Sequence, residues 1–262
     1  MSHDPRLTPA NGQTGGTPAQ IGVAVADLWR APDRATRDRQ LQWGEHVQVF
    51  ETRDGMSYVQ AARDGYVGYV EADLLTAPND TTHRVAVPAT HLYPRPDIKV
   101  PGAIWLGFGA RLRVVSASGN FFETDQGHFV PKPHLRPLNA PFADPVTVAQ
   151  MHFGVPYLWG GNSTLGIDCS GLVQAALLAS RIECPGDSDL QEAALGSALP
   201  QGSAPCRGDL LFWKGHVAMA VDDQTLIHAN AHHMAVAYEP IETAIARIAD
   251  QGGGPVTAHK RL

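Results

Sequence analysis

Cysteine is scarce in this sequence: three in 262 residues, at Cys169, Cys184 and Cys206. An odd number with no CxxC pair does not make a disulfide framework. Cys184 and Cys206 read most plainly as small buried residues, with a bridge between them left open. Clusters of Lys and Arg are missing too, and the formal net charge is −6, so the chain lacks the basic footprint of a nucleic-acid binder. No run of about 18 apolar residues exists to cross a membrane as a helix. The N-terminus has no apolar signal core and no small-residue cleavage site after its Met-Ser start, so a cytoplasmic protein is expected. What remains is ordinary globular composition, 44% hydrophobic and 18% charged, long enough for two domains or three small ones.

Taken in order, residues 1–20 are rich in Pro, Gly, Thr and Asn and read as a disordered tail. From Ile21 short β-like runs begin, punctuated by Gly turns, as in a small barrel spanning 21–78. The texture then repeats over 83–138. Val85-Ala86-Val87 matches Val23-Ala24-Val25, Gly107 and Gly109 sit where Gly44 was, and Phe129-Val130 echoes Tyr69-Val70. Two copies of one small barrel are expected. Pro131, Pro133, Pro137, Pro141 and Pro145 read as a stiff connector. The third unit, 139–262, begins with helical patterns and ends in a strand meander, an α+β arrangement.

Within it, Gly154, Gly160, Gly161 and Gly166 form a loop that leads into Cys169, and an almost wholly apolar helix follows to about residue 181. A cysteine at a helix start gains from the free N–H groups and the positive end of the dipole, which favour its thiolate. A cysteine peptidase also needs a histidine base and a group to orient it. His216 and His228 lie in successive strand patterns on either side of an Asp222-Asp223 turn, 12 positions apart, so that a hairpin could bring them face to face. His228, His232 and His233 suggest a metal, but no carboxylate or cysteine completes a known spacing; no metal and no cofactor are expected. Asp209 reads as a turn-fixing residue ahead of a strand.

Tyr157-Leu158-Trp159-Gly160-Gly161, Gly166-Ile167-Asp168-Cys169-Ser170-Gly171 and Gly208-Asp209-Leu210 leading to His216-Val217 together resemble the NlpC-type bacterial cell-wall peptidases, over about residues 145–250. That resemblance implies a papain-like fold with Cys169 as nucleophile, His216 as base, His228 as orienting residue, Tyr157 near the sulfur and the Cys169 N–H in the oxyanion hole. The two N-terminal repeats resemble bacterial SH3-like domains. The whole arrangement resembles γ-D-glutamyl-L-diamino-acid endopeptidases, which release L-Ala-γ-D-Glu from freed murein peptides with an unblocked L-Ala. It implies a substrate set of Asp168, Ser170, Asp187 and Ser188, with Glu45 and Tyr66 from the first barrel, gathered around a free ammonium. Gly186 stands where many relatives have Arg. A secreted hydrolase of intact wall and an inactive wall-peptide binder are the alternatives; the intact Cys169, His216 and His228 speak against the second.

Overall fold

The structure, a computed structural model, describes residues 4–101 and 104–262. The chain divides into two compact units, 1–140 and 141–262. Of the expected disordered tail, residues 1–3 lie outside the described residues, and the rest is ordered. The Arg6 carbonyl accepts from the Val67 N–H at 2.8 Å, the Leu7 carbonyl from Gln60 Nε2 at 3.1 Å, and the Tyr58 hydroxyl from the Ala10 N–H at 3.0 Å. Pro and Gly disfavour helix and central strand here, but an extended segment can still satisfy its backbone groups against a sheet.

Seven strands make the first sheet: β1 (Thr17–Ile21), β2 (Val25–Trp29), β3 (Arg37–Gln42), β4 (His46–Arg53), β5 (Met56–Ala61), β6 (Val67–Glu71) and β7 (Leu75–Thr76), in the order β3-β2-β6-β5-β4-β1-β7. Alternate residues of these strands, among them Ile21, Leu28, Leu41, Val47 and Val59, close a single core. Eight shorter strands follow: β8 (His83–Val85), β9 (Ala89–Leu92), β10 (Ile104–Gly107), β11 (Arg111–Leu112), β12 (Val114–Ser118), β13 (Phe121–Thr124), β14 (Phe129–Pro131) and β15 (Leu135–Pro137). They form three small sheets around Val85, Leu92, Leu106, Leu112 and Val130. Trp43, from the turn between β3 and β4, is buried in this second core. That turn needs glycine: Gly44 has φ +78°, and a Cβ there would stand 2.1 Å from the Arg111 carbonyl oxygen.

The two halves of this unit share local geometry. Gly44 and Gly109 both have positive φ, and their N–H groups bond the carbonyls of Ile21 and Val85. In each half a strand (β6, β14) runs through a 3₁₀ turn (Ala72–Leu74, Lys132–His134) into a short strand (β7, β15). The expected proline connector is correspondingly shorter, because Pro131 and Pro137 end strands β14 and β15. Proline is tolerated there because strand ends need fewer ladder donors.

The second unit holds helices α1 (Pro145–Gln150), α2 (Cys169–Ala179), α3 (Ser188–Ala194) and α4 (Ile241–Asp250), and a small hairpin of β16 (Asn162–Ser163) and β17 (Gly166–Ile167). Its main sheet is antiparallel, in the order β18-β23-β19-β20-β21-β22: β18 (Ser197–Ala198), β19 (Leu210–Trp213), β20 (His216–Ala220), β21 (Thr225–Asn230), β22 (Ala235–Pro240) and β23 (Ala258–Arg261). Helix α2 is mostly apolar because most of it is buried: Leu172, Val173, Ala176 and Leu177 are all nearly inaccessible. It lies on β20 and β21. Asp209 does more than fix a turn. It takes Arg261 at 2.8 and 2.7 Å, His259 at 2.8 Å and the Cys206 N–H at 2.9 Å, tying β23 to β19. Against the upward push of burial, these donors hold its carboxyl down to about 2. All three cysteines are free, so the Cys184–Cys206 bridge left open by the sequence is not formed.

Candidate active site

The glycine-rich loop lets backbone meet backbone under the start of α2. A Cβ on Gly171 would lie 2.5 Å from the Gly161 carbonyl oxygen, and one on Gly161 would lie 2.5 Å from that of Gly166. Asp168 is the N-cap. Its Oδ1 accepts from the Gly171 N–H at 2.6 Å and the Ser170 hydroxyl at 3.0 Å, and its Oδ2 accepts from the Gly160 N–H at 3.0 Å. One carboxylate thus fixes both the loop and the helix start, and Cys169 follows as the first helical residue. The thiol lies in the first turn, where the dipole favours a thiolate. Tyr157 reaches the same place from a bridge to Ile167. Burial, then the neighbouring Cys169 and Asp168 charges, raise its phenol pKa, so the hydroxyl stays protonated and can donate.

Three neighbouring strands carry a diagonal row of polar side chains. Met219 pairs with Ile227 across β20 and β21; continuing that register puts Ala218 opposite His228 and leaves His216 one diagonal step away. His216 Nε2 lies 2.9 Å from His228 Nδ1. The hairpin therefore brings the two rings together diagonally rather than directly opposite, as the 12-residue spacing had suggested. Across the next pair His228 faces Ala237, and Glu239, two residues on, is again diagonal. Glu239 Oε2 lies 3.0 Å from His228 Nε2, and Arg247 of α4 holds the same carboxylate through Nε at 2.8 Å and Nη2 at 2.7 Å.

His228 and Glu239 are buried, and Trp213 lies against the half-buried His216 ring at 5.7 Å between centroids. Burial, with the like-charging His228 and Arg247 nearby, lowers His216 to about 3; burial lowers His228 to about 4 despite Glu239. Both rings rest neutral at pH 7, and a neutral His216 can accept a thiol proton. Arg247 holds Glu239 ionised, lowering its pKa against the cost of burial.

The sequence reading missed Glu239 and Arg247. It also missed a grouping that it had looked for: His228, His233 and Glu239 bring ligand atoms within 4.8 Å of one another, a cluster that could hold a metal ion. Glu239 comes 11 positions after His228 and enters through strand pairing, not a sequence motif. Arg247 already supplies a cation to that carboxylate.

Among the expected substrate residues, Ser170 is buried and bonded to Asp168, whose own oxygens serve the loop and helix. Asp168 is thus the cap of α2 and the tie to the Gly160 loop. Asp187 and Ser188 open α3, which Gln191 ties to the Ser170 carbonyl at 2.9 Å. Glu45 and Tyr66 belong to the first unit. Glu45 is buried, accepts from the Gln42 N–H at 3.1 Å and pairs with Arg63 at 2.9 Å. Burial works against the Arg63 charge, but Glu45 and Asp64 outweigh it. Glu45 is therefore a buried, ion-paired carboxylate and not a solvated turn residue, and its partner Arg63 is shared with Asp64. Tyr66 packs in the first core.

Residues 154–248 match the NlpC/P60 family, and residues 28–75 match the bacterial dipeptidyl-peptidase Sh3 domain. The chain is 29% identical over 264 positions to a gamma-D-glutamyl-L-lysine dipeptidyl-peptidase of Bacillus subtilis, covering 79% of this chain and 88% of the relative. Dipeptidyl-peptidase 6 of Lysinibacillus sphaericus is 36% identical over 85 residues, 32% of this chain. A Bacillus cereus gamma-D-glutamyl-L-lysine dipeptidyl-peptidase is 33% identical over 108 residues, 38% of this chain. These two matches span only 31% and 32% of those relatives. A crystal structure of an NlpC/P60 family protein from Bacillus cereus superposes with a TM-score of 0.79 at 23% identity, over 94% of this chain and 99% of that one, and so shares the fold. The chain thus carries, at 154–248, a domain of the NlpC/P60 cysteine peptidase family, accompanied by a bacterial SH3 domain at 28–75.

Proposed function

We propose that this protein is a cysteine endopeptidase that cuts the bond between γ-D-Glu and the diamino acid of freed murein peptides bearing an unblocked L-Ala. The observation that carries the substrate reading is that the similarity to the Bacillus subtilis gamma-D-glutamyl-L-lysine dipeptidyl-peptidase runs through both units, over 79% of this chain. The chemistry rests on Cys169 at the start of α2 and the paired rings of His216 and His228. His216 takes the thiol proton and Cys169 attacks the γ-carbonyl carbon. The oxyanion forms against the helix start, with the Cys169 N–H as donor and the Tyr157 hydroxyl nearby. His216 then protonates the leaving amine as the C–N bond breaks, leaving an L-Ala-γ-D-Glu thioester on Cys169; water, deprotonated by the same ring, attacks that thioester, frees L-Ala-γ-D-Glu as its acid and lets His216 return the proton to the sulfur. Residues 83–138 serve as a second SH3-like domain, supported by the shared glycine turn and the strand–3₁₀–strand ending. Asp168, before the nucleophile, and Asp187, at the start of α3, are the carboxylates of the catalytic unit for the substrate ammonium.

The test is incubation with L-Ala-γ-D-Glu-diaminopimelate and its Lys counterpart, read by mass spectrometry. Release of L-Ala-γ-D-Glu supports the reading, and Cys169→Ala abolishes it while retaining peptide binding. Equal cleavage of the N-acetylated peptides overturns the free-amine requirement. Turnover by Cys169→Ala near that of the parent removes Cys169 as nucleophile.

A further inference from the structure

We infer that Glu239, held by Arg247, sets the proton positions on both active-site histidines, and so is a positioning residue for the base. The inference rests on His216 serving as the base for Cys169. A carboxylate that is ionised only accepts hydrogen bonds. Glu239 Oε2 lies 3.0 Å from His228 Nε2, so that nitrogen carries the proton. A neutral imidazole has one N–H, which leaves His228 Nδ1 as an acceptor. His216 Nε2, 2.9 Å from it, must then donate. The lone pair of His216 is thereby fixed on Nδ1, the nitrogen left for the thiol proton. Were the row inverted, His216 Nδ1 would already carry the proton and would have no lone pair to offer the thiol. His228 and Glu239 are both buried, which leaves the orientation of the row to these side chains.

Arg247 has the complementary task. Its two bonds to Glu239, at 2.8 and 2.7 Å, keep the carboxylate ionised and therefore acceptor-only. Its hydrogen bonds go to Glu239 and Gln251. The two residues are thus unequal partners: losing Glu239 releases the tautomers, whereas losing Arg247 leaves them set for as long as Glu239 stays ionised. A plain salt bridge holding α4 to the sheet would make the two losses equivalent.

The experiment uses the full chain, its Glu239→Gln and Arg247→Met variants, and two readouts that need no peptide. The first is the rate of Cys169 alkylation by iodoacetamide against pH; the second is ¹⁵N NMR of the histidine ring nitrogens. Expected in the parent is an unprotonated His216 Nδ1. In Glu239→Gln, whose amide can donate as well as accept, His216 shifts to averaged or inverted nitrogen signals, and alkylation at neutral pH falls about 10²- to 10⁴-fold, the range of a lost positioned base. Arg247→Met keeps the parent signals at neutral pH, loses no more than about tenfold on the same scale, and moves the acid limb of the alkylation profile to higher pH as Glu239 protonates more easily. A protonated His216 Nδ1 in the parent overturns the inference. So do Glu239→Gln within about threefold of the parent, or equal losses in the two variants. Failure to cleave the murein peptides with these alkylation and NMR patterns intact would count against the proposed substrate alone.

Discussion

Asp168 offers a test in which stability and substrate binding pull apart. Replacing it with Ala removes the acceptor for the Gly171 N–H, the Gly160 N–H and the Ser170 hydroxyl. Loss of an N-cap costs about 0.5–2 kcal/mol. Gly160 is buried, and its orphaned N–H adds about 1–3 kcal/mol. Together these give about 2–5 kcal/mol for Asp168→Ala. Asn caps as well as Asp, and its carbonyl can keep the Gly171 bond, but its amide then faces the Gly160 donor. Asp168→Asn therefore loses one bond, about 1–2 kcal/mol. At about 4 °C per kcal/mol for a unit of this size, the Ala variant should melt about 8–20 °C below the parent and the Asn variant about 4–8 °C below it. Scanning calorimetry with urea titrations checks both. Equal melting of the Ala variant and the parent would refute the capping argument. Kinetics supply the second arm: a cap predicts that Asp168→Asn changes KM equally for free-amine and N-acetylated peptides. A tenfold or greater selective loss on the free amine would show that Asp168 anchors the ammonium as well as capping the helix.

Mild acid should loosen the catalytic unit. His216 and His228 titrate at about 3 and about 4 in the folded chain, below the ordinary 6.5, so the unfolded chain binds more protons between those values and 6.5. Their contribution is whole above pH 6.5 and lost as pH falls, at about 2 kcal/mol per ring by pH 5; an unchanged Tm between pH 7 and 5 would contradict the burial of these rings. Trp43→Ala should cost about 3–5 kcal/mol, because the indole fills the core of residues 83–137; urea unfolding of the isolated substitution in the full chain measures it, and a loss below about 1 kcal/mol would mean that the core closes without it. Asp187→Asn should lower kcat/KM for free-amine peptides at least about tenfold, the worth of a charge-assisted bond, and leave N-acetylated peptides unaffected; equal changes on both would remove Asp187 from ammonium binding.

What could be read from the sequence was whatever local chemistry announces. The helix that starts at Cys169 is almost wholly apolar, and the glycines around its start permit the close approaches seen at Gly161 and Gly171. His216 and His228 stand in strongly apolar strands, so their polarity drew notice. Glu239 was invisible for the opposite reason. It lies in β22, Ala-Val-Ala-Tyr-Glu-Pro, a run with little strand signal, ended by a proline and followed at once by α4. Its partner is chosen by register: His228 opposite Ala237 places Glu239 on the next diagonal, and one residue of slip would turn it to the other face. The same blindness worked in reverse for Glu45. A carboxylate after Trp-Gly looked open to a ligand because nothing local showed Arg63, 18 positions away, as its ion-pair partner. In both cases the sequence displays a charge, and only strand pairing decides whether that charge faces a substrate, a base or a neighbour of opposite sign. The carboxylates most worth mutating here are therefore those whose partners the fold supplies from a distance: Glu239 because its partner is an active-site histidine, and Glu45 because its partner Arg63 is shared with a second carboxylate, Asp64.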